Sequence, residues 1–127
     1  MLILTVNPGS TSTKIGIFKG NADGLSEVHV ETIRHDAGEL AVYPDLSSQL
    51  DFRKGFIERA IVNAGLKLSD IEGFIGRGGL LRPIESGCYK VNEQMLADLR
   101  VGLQGTHASN LGGQLAHATV MGQSTIS

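Results

Sequence analysis

Three polar clusters in this 127-residue chain have residue types and spacing suited to holding an anion. The first is Asn7-Pro8-Gly9-Ser10-Thr11-Ser12-Thr13-Lys14. Hydroxyls at Ser10, Thr11, Ser12 and Thr13, backbone N–H groups freed by Gly9, and the Lys14 ammonium are the donors a phosphoryl group requires. The G-x-x-x-x-G-K-[ST] spacing of a P-loop is absent, and the next segment has the pattern of a strand rather than a helix. A Ser/Thr-rich hairpin turn with no ligand would use the same residues. The second cluster, Gly76-Arg77-Gly78-Gly79, sets a guanidinium between glycines, free for bidentate contact with a carboxylate or phosphate. A flexible surface turn is the alternative. In the third, Gly105-Thr106-His107-Ala108-Ser109-Asn110-Leu111-Gly112, His107 stands just before a helix start, where backbone N–H groups and the helix dipole favour an anion. Equally, Ser109 and Asn110 would simply cap that helix and leave His107 exposed.

The elements that must position these clusters are set by the apolar pattern. Leu2 to Val6 reads as a buried strand closed by the turn residues 7–10. Thr13 to Lys19 alternates, with Ile15 and Ile17 on one face and Gly16 and Phe18 on the other, and predicts a strand returning antiparallel. A turn at 20–24 and a third strand over 26–34, with Val28 and Val30 in alternation, complete a meander. Residues 45–64 carry Leu46, Leu50, Ile57, Ala60, Ile61 and Ala64 largely at helical spacing, with Asp45, Ser47 or Ser48 as cap and Gly65 past the end. A strand over 71–75 runs into the second cluster, and at the end of a parallel strand a ligand is expected. A short strand at 89–91, a helix from Glu93 to Val101 capped by Asn92, and a helix opening near Asn110 account for the rest, apart from a tail with no clear period.

Composition narrows the function classes. With 11 Lys+Arg against 13 Asp+Glu, the net charge of -2 leaves no surplus of positive charge to neutralise a nucleic-acid backbone. No apolar run approaches the roughly 20 residues of a membrane-spanning helix, and the chain reads as cytoplasmic. The single cysteine, Cys88, reads as a small buried residue, and with four scattered histidines it gives no zinc-ligand spacing. His29, His35 and His117 read as structural or solvated. Seventeen glycines, no Trp and 5% aromatics describe an α/β protein with many close backbone approaches and little aromatic core volume.

Taken in order and spacing, the first cluster, the run Gly76-Arg77-Gly78-Gly79-Leu80-Leu81-Arg82-Pro83-Ile84 and the run His107-Ala108-Ser109-Asn110-Leu111-Gly112 resemble the acetate and butyrate kinase family, from Met1 to about Ala116. The resemblance implies an actin-like (ribonuclease H-like) ATPase lobe, with an opening antiparallel β-meander and a mixed sheet flanked by helices. It implies reversible transfer of the ATP γ-phosphoryl group to a short-chain carboxylate such as butanoate, with Mg2+, giving butanoyl phosphate. An inactive phosphate-binding lobe or scaffold of the same fold is the second reading. Carried over residue by residue, Asn7 lies near the transferred phosphoryl group or its metal. Gly9, Ser10, Thr11, Thr13 and Lys14 fall in the phosphate hairpin. Arg77, with Gly78 and Gly79, falls to substrate carboxylate or phosphoryl binding, and His107 matches a histidine near the cleft. Residues 1–118 are then an N-terminal lobe and 119–127 a tail. The family's second lobe, with adenosine recognition and an acidic magnesium-site residue, has no counterpart in this sequence. Little kinase activity is expected of these 127 residues alone, and a homo-oligomer is expected of the full-length form.

Overall fold

In the computed structural model, which describes residues 1–85, 87–119 and 124–126, the expected meander opens the chain. Strands β1 (Leu2–Pro8), β2 (Ser12–Asn21) and β3 (Gly24–Arg34) pair antiparallel in sequence order. The first strand runs further than its turn residues suggest. Asn7 and Pro8 belong to the ladder opposite Lys14 and Thr13, which leaves only residues 9–11 to make the turn. Val28 and Val30 alternate as a strand requires, yet both are exposed, and the buried residue of β3 is Ile33.

The sheet order is β3-β2-β1-β4-β6-β5, where β4 is Gly73–Gly76, β5 is Tyr89–Lys90 and β6 is Ser124–Ile126. Strand β4 runs parallel to β1, and β6 parallel to β4, while β2 and β5 run against their neighbours. This mixed sheet with helices against it is the α/β architecture that the resemblance implied. Strand β6 lies in the stretch expected to be a tail without an element. Three residues are too few to carry a readable period, and their pairing with β4 and β5 comes from the sheet edge those strands offer. The rest of that tail, 120–123 and 127, lies outside the described residues.

One face of the sheet carries the core. Leu4 and Val6 from β1, Ile15 and Ile17 from β2, and Ile33 from β3 meet Ile57, Ala60 and Ile61 of helix α2 (Leu50–Asn63), α1 being the short Ala37–Leu40 turn. Leu111, Leu115 and Ala116 of helix α4 (Asn110–Thr119) complete the cluster. Burying each of these large aliphatic side chains contributes about 1.5–3 kcal/mol. The helix expected over 45–64 starts with a 3-10 turn at Ser47–Gln49, where the Asp45 carboxylate accepts from the Ser48 N–H, and α2 proper begins at Leu50. Helix α3 (Glu93–Val101) is capped by Asn92 as expected and ends on Gly102 in the left-handed region, where glycine avoids the Cβ clash. Among the described residues no helix is long and apolar enough to cross a membrane.

Candidate functional site

The hairpin between β1 and β2 rests on Arg53, a residue outside the three polar clusters. Arg53 is fully buried on α2, and its guanidinium sits beneath the turn. Nη1 donates to the Gly9 carbonyl at 2.7 Å, the Ser12 carbonyl at 2.9 Å and Thr13 Oγ1 at 3.3 Å. Nη2 donates to the Ser10 carbonyl at 3.1 Å, and Gln49 Oε1 accepts from both Nη2 (3.0 Å) and Nε (3.2 Å). The Thr11 carbonyl accepts from the His35 N–H at 2.8 Å. The carbonyls of the three turn residues and of Ser12, where β2 begins, are therefore all held by protein donors.

A trans peptide is planar, with its N–H antiparallel to its C=O, and among the described residues there is no cis peptide. Drawing the Gly9 and Ser10 carbonyls toward Arg53 therefore turns the Ser10 and Thr11 N–H groups away from it. Ser10 and Thr11 are exposed, and neither N–H has a partner among the described residues. The donors freed by the turn are these two and not that of Gly9, whose N–H is already bonded to the Ser12 carbonyl at 2.7 Å. Thr13 also departs from its expected role. It is fully buried, and its hydroxyl lies 2.8 Å from His35 Nε2 and within reach of Arg53, so it braces the hairpin from inside and cannot touch a ligand. His35 packs edge-on against Phe56. Burial lowers its basicity, and the Arg53 charge lowers it further, so the ring is neutral at pH 7.

Register brings three of the expected residues together. Asn7 and Lys14 are direct cross-strand partners, and both are exposed. Val6 pairs with Gly76, and the Arg77 N–H donates to the Val6 carbonyl at 2.9 Å, so Arg77 flanks Asn7 on the other side. The strand alternation places Asn7 and Lys14 on the face opposite the core, and Arg77 follows directly on the end of β4, one strand spacing of roughly 5 Å from β1. Asn7 and Lys14 line a groove of about 390 Å³ that continues over Thr5, Gly16, Phe18 and Val30. Arg77 is exposed, and its guanidinium has no hydrogen-bond or ion-pair partner among the described residues.

The second glycine turn is built differently. A methyl group on Gly76 would overlap the Gly112 carbonyl, and one on Gly112 would overlap the Arg77 carbonyl. A methyl on Gly79 would fall 2.6 Å from Asn110 Cα. These glycines let the first turn of α4 lie directly on the end of β4. The lack of a side chain at Gly79 is thus explained by helix packing and not by a ligand, while Gly78 is half-buried beside it. Asn110 locks the contact: its Oδ1 accepts from the Leu80 N–H at 2.8 Å and its Nδ2 donates to the Gly105 carbonyl at 3.0 Å.

The head of α4 is not an open anion site. The N–H groups of Asn110, Leu111 and Gly112 bond to the carbonyls of His107, Ala108 and Ser109. Ser109 does not cap them; its Oγ lies 2.8 Å from His107 Nδ1, and its N–H donates to the same nitrogen at 3.1 Å. With Nδ1 accepting from the Ser109 N–H, the Nε2 position of the exposed His107 ring is left to carry the N–H. The hydrogen bonds of the His107 ring go to Ser109, and it is not joined through them to Asn7, Lys14 or Arg77. Cys88, expected to be buried, is exposed. No group of three His, Cys, Asp or Glu able to hold a metal occurs among the described residues, and Asn7 offers one amide oxygen. Magnesium binds through one or two carboxylates with substrate phosphates, so these residues do not form its site by themselves.

No protein-family model matches the chain. Curated relatives do, two butyrate kinases among them. Butyrate kinase 2 of Clostridium acetobutylicum is 48% identical over 116 residues, which is 91% of this chain and 32% of the relative. Butyrate kinase 1 of the same organism is 50% identical over 115 residues, 91% of this chain and 31% of the relative. The chain spans about a third of the length of these relatives. Over nearly its whole length, the chain is thus similar to the N-terminal part of these butyrate kinases.

Proposed function

We propose that the chain, over residues 1–118, is the phosphate-binding lobe of a short-chain carboxylate kinase, which transfers the γ-phosphoryl group of ATP to butanoate and back. The observation that carries this reading is the hairpin with two outward N–H groups that have no partner among the described residues, in a chain about half identical to two butyrate kinases. In the forward direction a carboxylate oxygen attacks the γ-phosphorus. The new O–P bond forms as the bond from that phosphorus to its bridging oxygen breaks, and the electron pair leaves with ADP. The carboxylate is already ionised at pH 7, so no general base is needed, and catalysis rests on alignment and charge neutralisation.

In this reading the Ser10 and Thr11 N–H groups and the Lys14 ammonium hold phosphate oxygens, with Gly9 shaping the turn. Asn7 lies beside the transferred group. Arg77 takes the substrate carboxylate or a phosphoryl oxygen, and His107 contributes an Nε2–H donor from the head of α4. Magnesium, when carried on the nucleotide phosphates, would supply further charge neutralisation. A cytoplasmic location, and a homo-oligomer for the full-length form, go with this function.

The test is a titration of the isotope-labelled chain with ATP and magnesium, followed by amide chemical shifts. Saturable shifts at Ser10 and Thr11 are expected, together with a roughly tenfold weaker affinity in Lys14→Met and in Arg77→Met, each replacing one charged donor. Both residues are exposed, so thermal stability is expected to stay near wild type. Shifts confined to other surfaces would overturn the reading. Binding at the hairpin with no transfer to butanoate, even when the remaining two-thirds of a homologous kinase is supplied, would favour the inactive lobe instead.

A further inference from the structure

We propose that Arg53 is a positioning residue for the hairpin: it draws the Gly9, Ser10 and Ser12 carbonyls inward and so presents the Ser10 and Thr11 N–H groups to an oxyanion. The inference rests on the phosphate-binding reading of this hairpin and extends it to a residue that touches no ligand. Arg53 lies at the centre of the apolar stripe Leu50, Ile57, Ala60, Ile61, where an aliphatic residue would fill the space without the desolvation of a charge. A buried cation normally has a carboxylate beside it, but among the described residues Arg53 makes no ion pair. Its charge is met only by peptide carbonyls, the Gln49 amide oxygen and the Thr13 hydroxyl.

This arrangement has a direction. The Gly9 and Ser10 carbonyl dipoles point their negative ends at the guanidinium and their positive ends, the N–H groups of Ser10 and Thr11, away from it. The cation therefore orders two peptide units into a concave pair of donors, and it leaves a positive field behind them that an arriving phosphate would complete. The planar fork explains why Arg serves here. It spans the Gly9 and Ser12 carbonyls with one nitrogen and Ser10 with the other, while Gln49 fixes its rotation. An ammonium is a point charge and cannot hold both sides of the turn at once.

The experiment compares wild type with Arg53→Lys, which keeps the charge, Arg53→Gln, which removes it, and Gln49→Leu, which keeps Arg53 but frees its rotation. Inorganic phosphate is titrated into each labelled chain, and thermal unfolding is measured alongside. The expected result is a phosphate Kd raised roughly tenfold in Arg53→Lys and more in Arg53→Gln. The ligand-free amide shifts of Ser10 and Thr11 should move in both variants, while those of Leu4 and Phe74 in the core stay put. Gln49→Leu should weaken phosphate binding with Arg53 intact, which keeps the inference testable if the Arg53 variants do not fold. A purely structural Arg53 would lower the melting temperature yet leave phosphate affinity in the folded protein unchanged, and that result would overturn the inference alone. Absence of any phosphate response at Ser10 and Thr11 in wild type would overturn both the inference and the hairpin reading beneath it.

Discussion

The two glycine-bearing turns at the ends of β1 and β4 both follow a strand in the sequence and are built on opposite logic. At 9–12 the backbone is pulled inward by a buried cation, so its donors face out and are unspent. At 76–79 the backbone is pressed from behind by α4, and the glycines make room for another piece of main chain. A glycine in a loop signals that something comes close, but it does not say whether that is a ligand or the protein itself. Beside the glycines, Asn7 and Lys14 share one face as cross-strand partners, and the parallel pairing of β1 with β4 brings the Arg77 backbone next to them.

The largest test of that contrast is to fill the second turn. Gly112→Ala or Gly76→Ala places a methyl group inside backbone that cannot move without lifting α4 off the sheet, and a loss of about 3 kcal/mol or more is expected in denaturant unfolding. A near-neutral result would mean that the helix is not seated on β4. Next in size, Asn110→Ala removes both bonds that tie α4 to the loops at Leu80 and Gly105, and about 1–3 kcal/mol should be lost. A smaller effect comes from pH. His35 titrates below its ordinary 6.5 in the folded state, first through burial and then through Arg53, so the unfolded chain binds the proton more readily. Stability is fully present above about pH 6.5 and falls as the pH drops through the window below it. His35→Phe should flatten that part of a plot of melting temperature against pH, and an unchanged slope would assign the dependence to other groups. The smallest effect is expected at the first turn itself. A methyl on Gly9 crowds Ser12 Oγ, 2.9 Å away at the end of a side chain that can rotate, and makes an ordinary contact with the Ser12 carbonyl at 3.7 Å, so Gly9→Ala should change stability by less than about 0.5 kcal/mol. A cost matching that of Gly112→Ala would erase the distinction between the two turns.

Much of the fold is legible in the sequence. The meander, α2, α3 and the start of α4 come from apolar period and from caps such as Asn92, because those signals are local. Arg53 carries a weaker signal, a cation on an otherwise apolar helical stripe, and its partners in the hairpin lie far back along the chain, where no local pattern reaches. Thr13 reads as a ligand because its neighbours are hydroxyls, but the two-residue alternation of β2 turns it to the core with Ile15 and Ile17. Ser109 reads as a cap, and the His107 ring takes its hydroxyl instead. Strand β6 has no sequence signature because three residues have no period of their own.

By itself the sequence determined the class of fold, the order of the three polar clusters and the residue types that suit an anion, since these depend on composition, period and spacing along the chain. The tertiary structure decided which donors are free. A hydroxyl or N–H can serve a ligand only if nothing inside the protein has already claimed it. That is settled by long-range pairing: the register of β1 with β2 and β4, the reach of Arg53 from α2, and the weight of α4 on the glycines of β4.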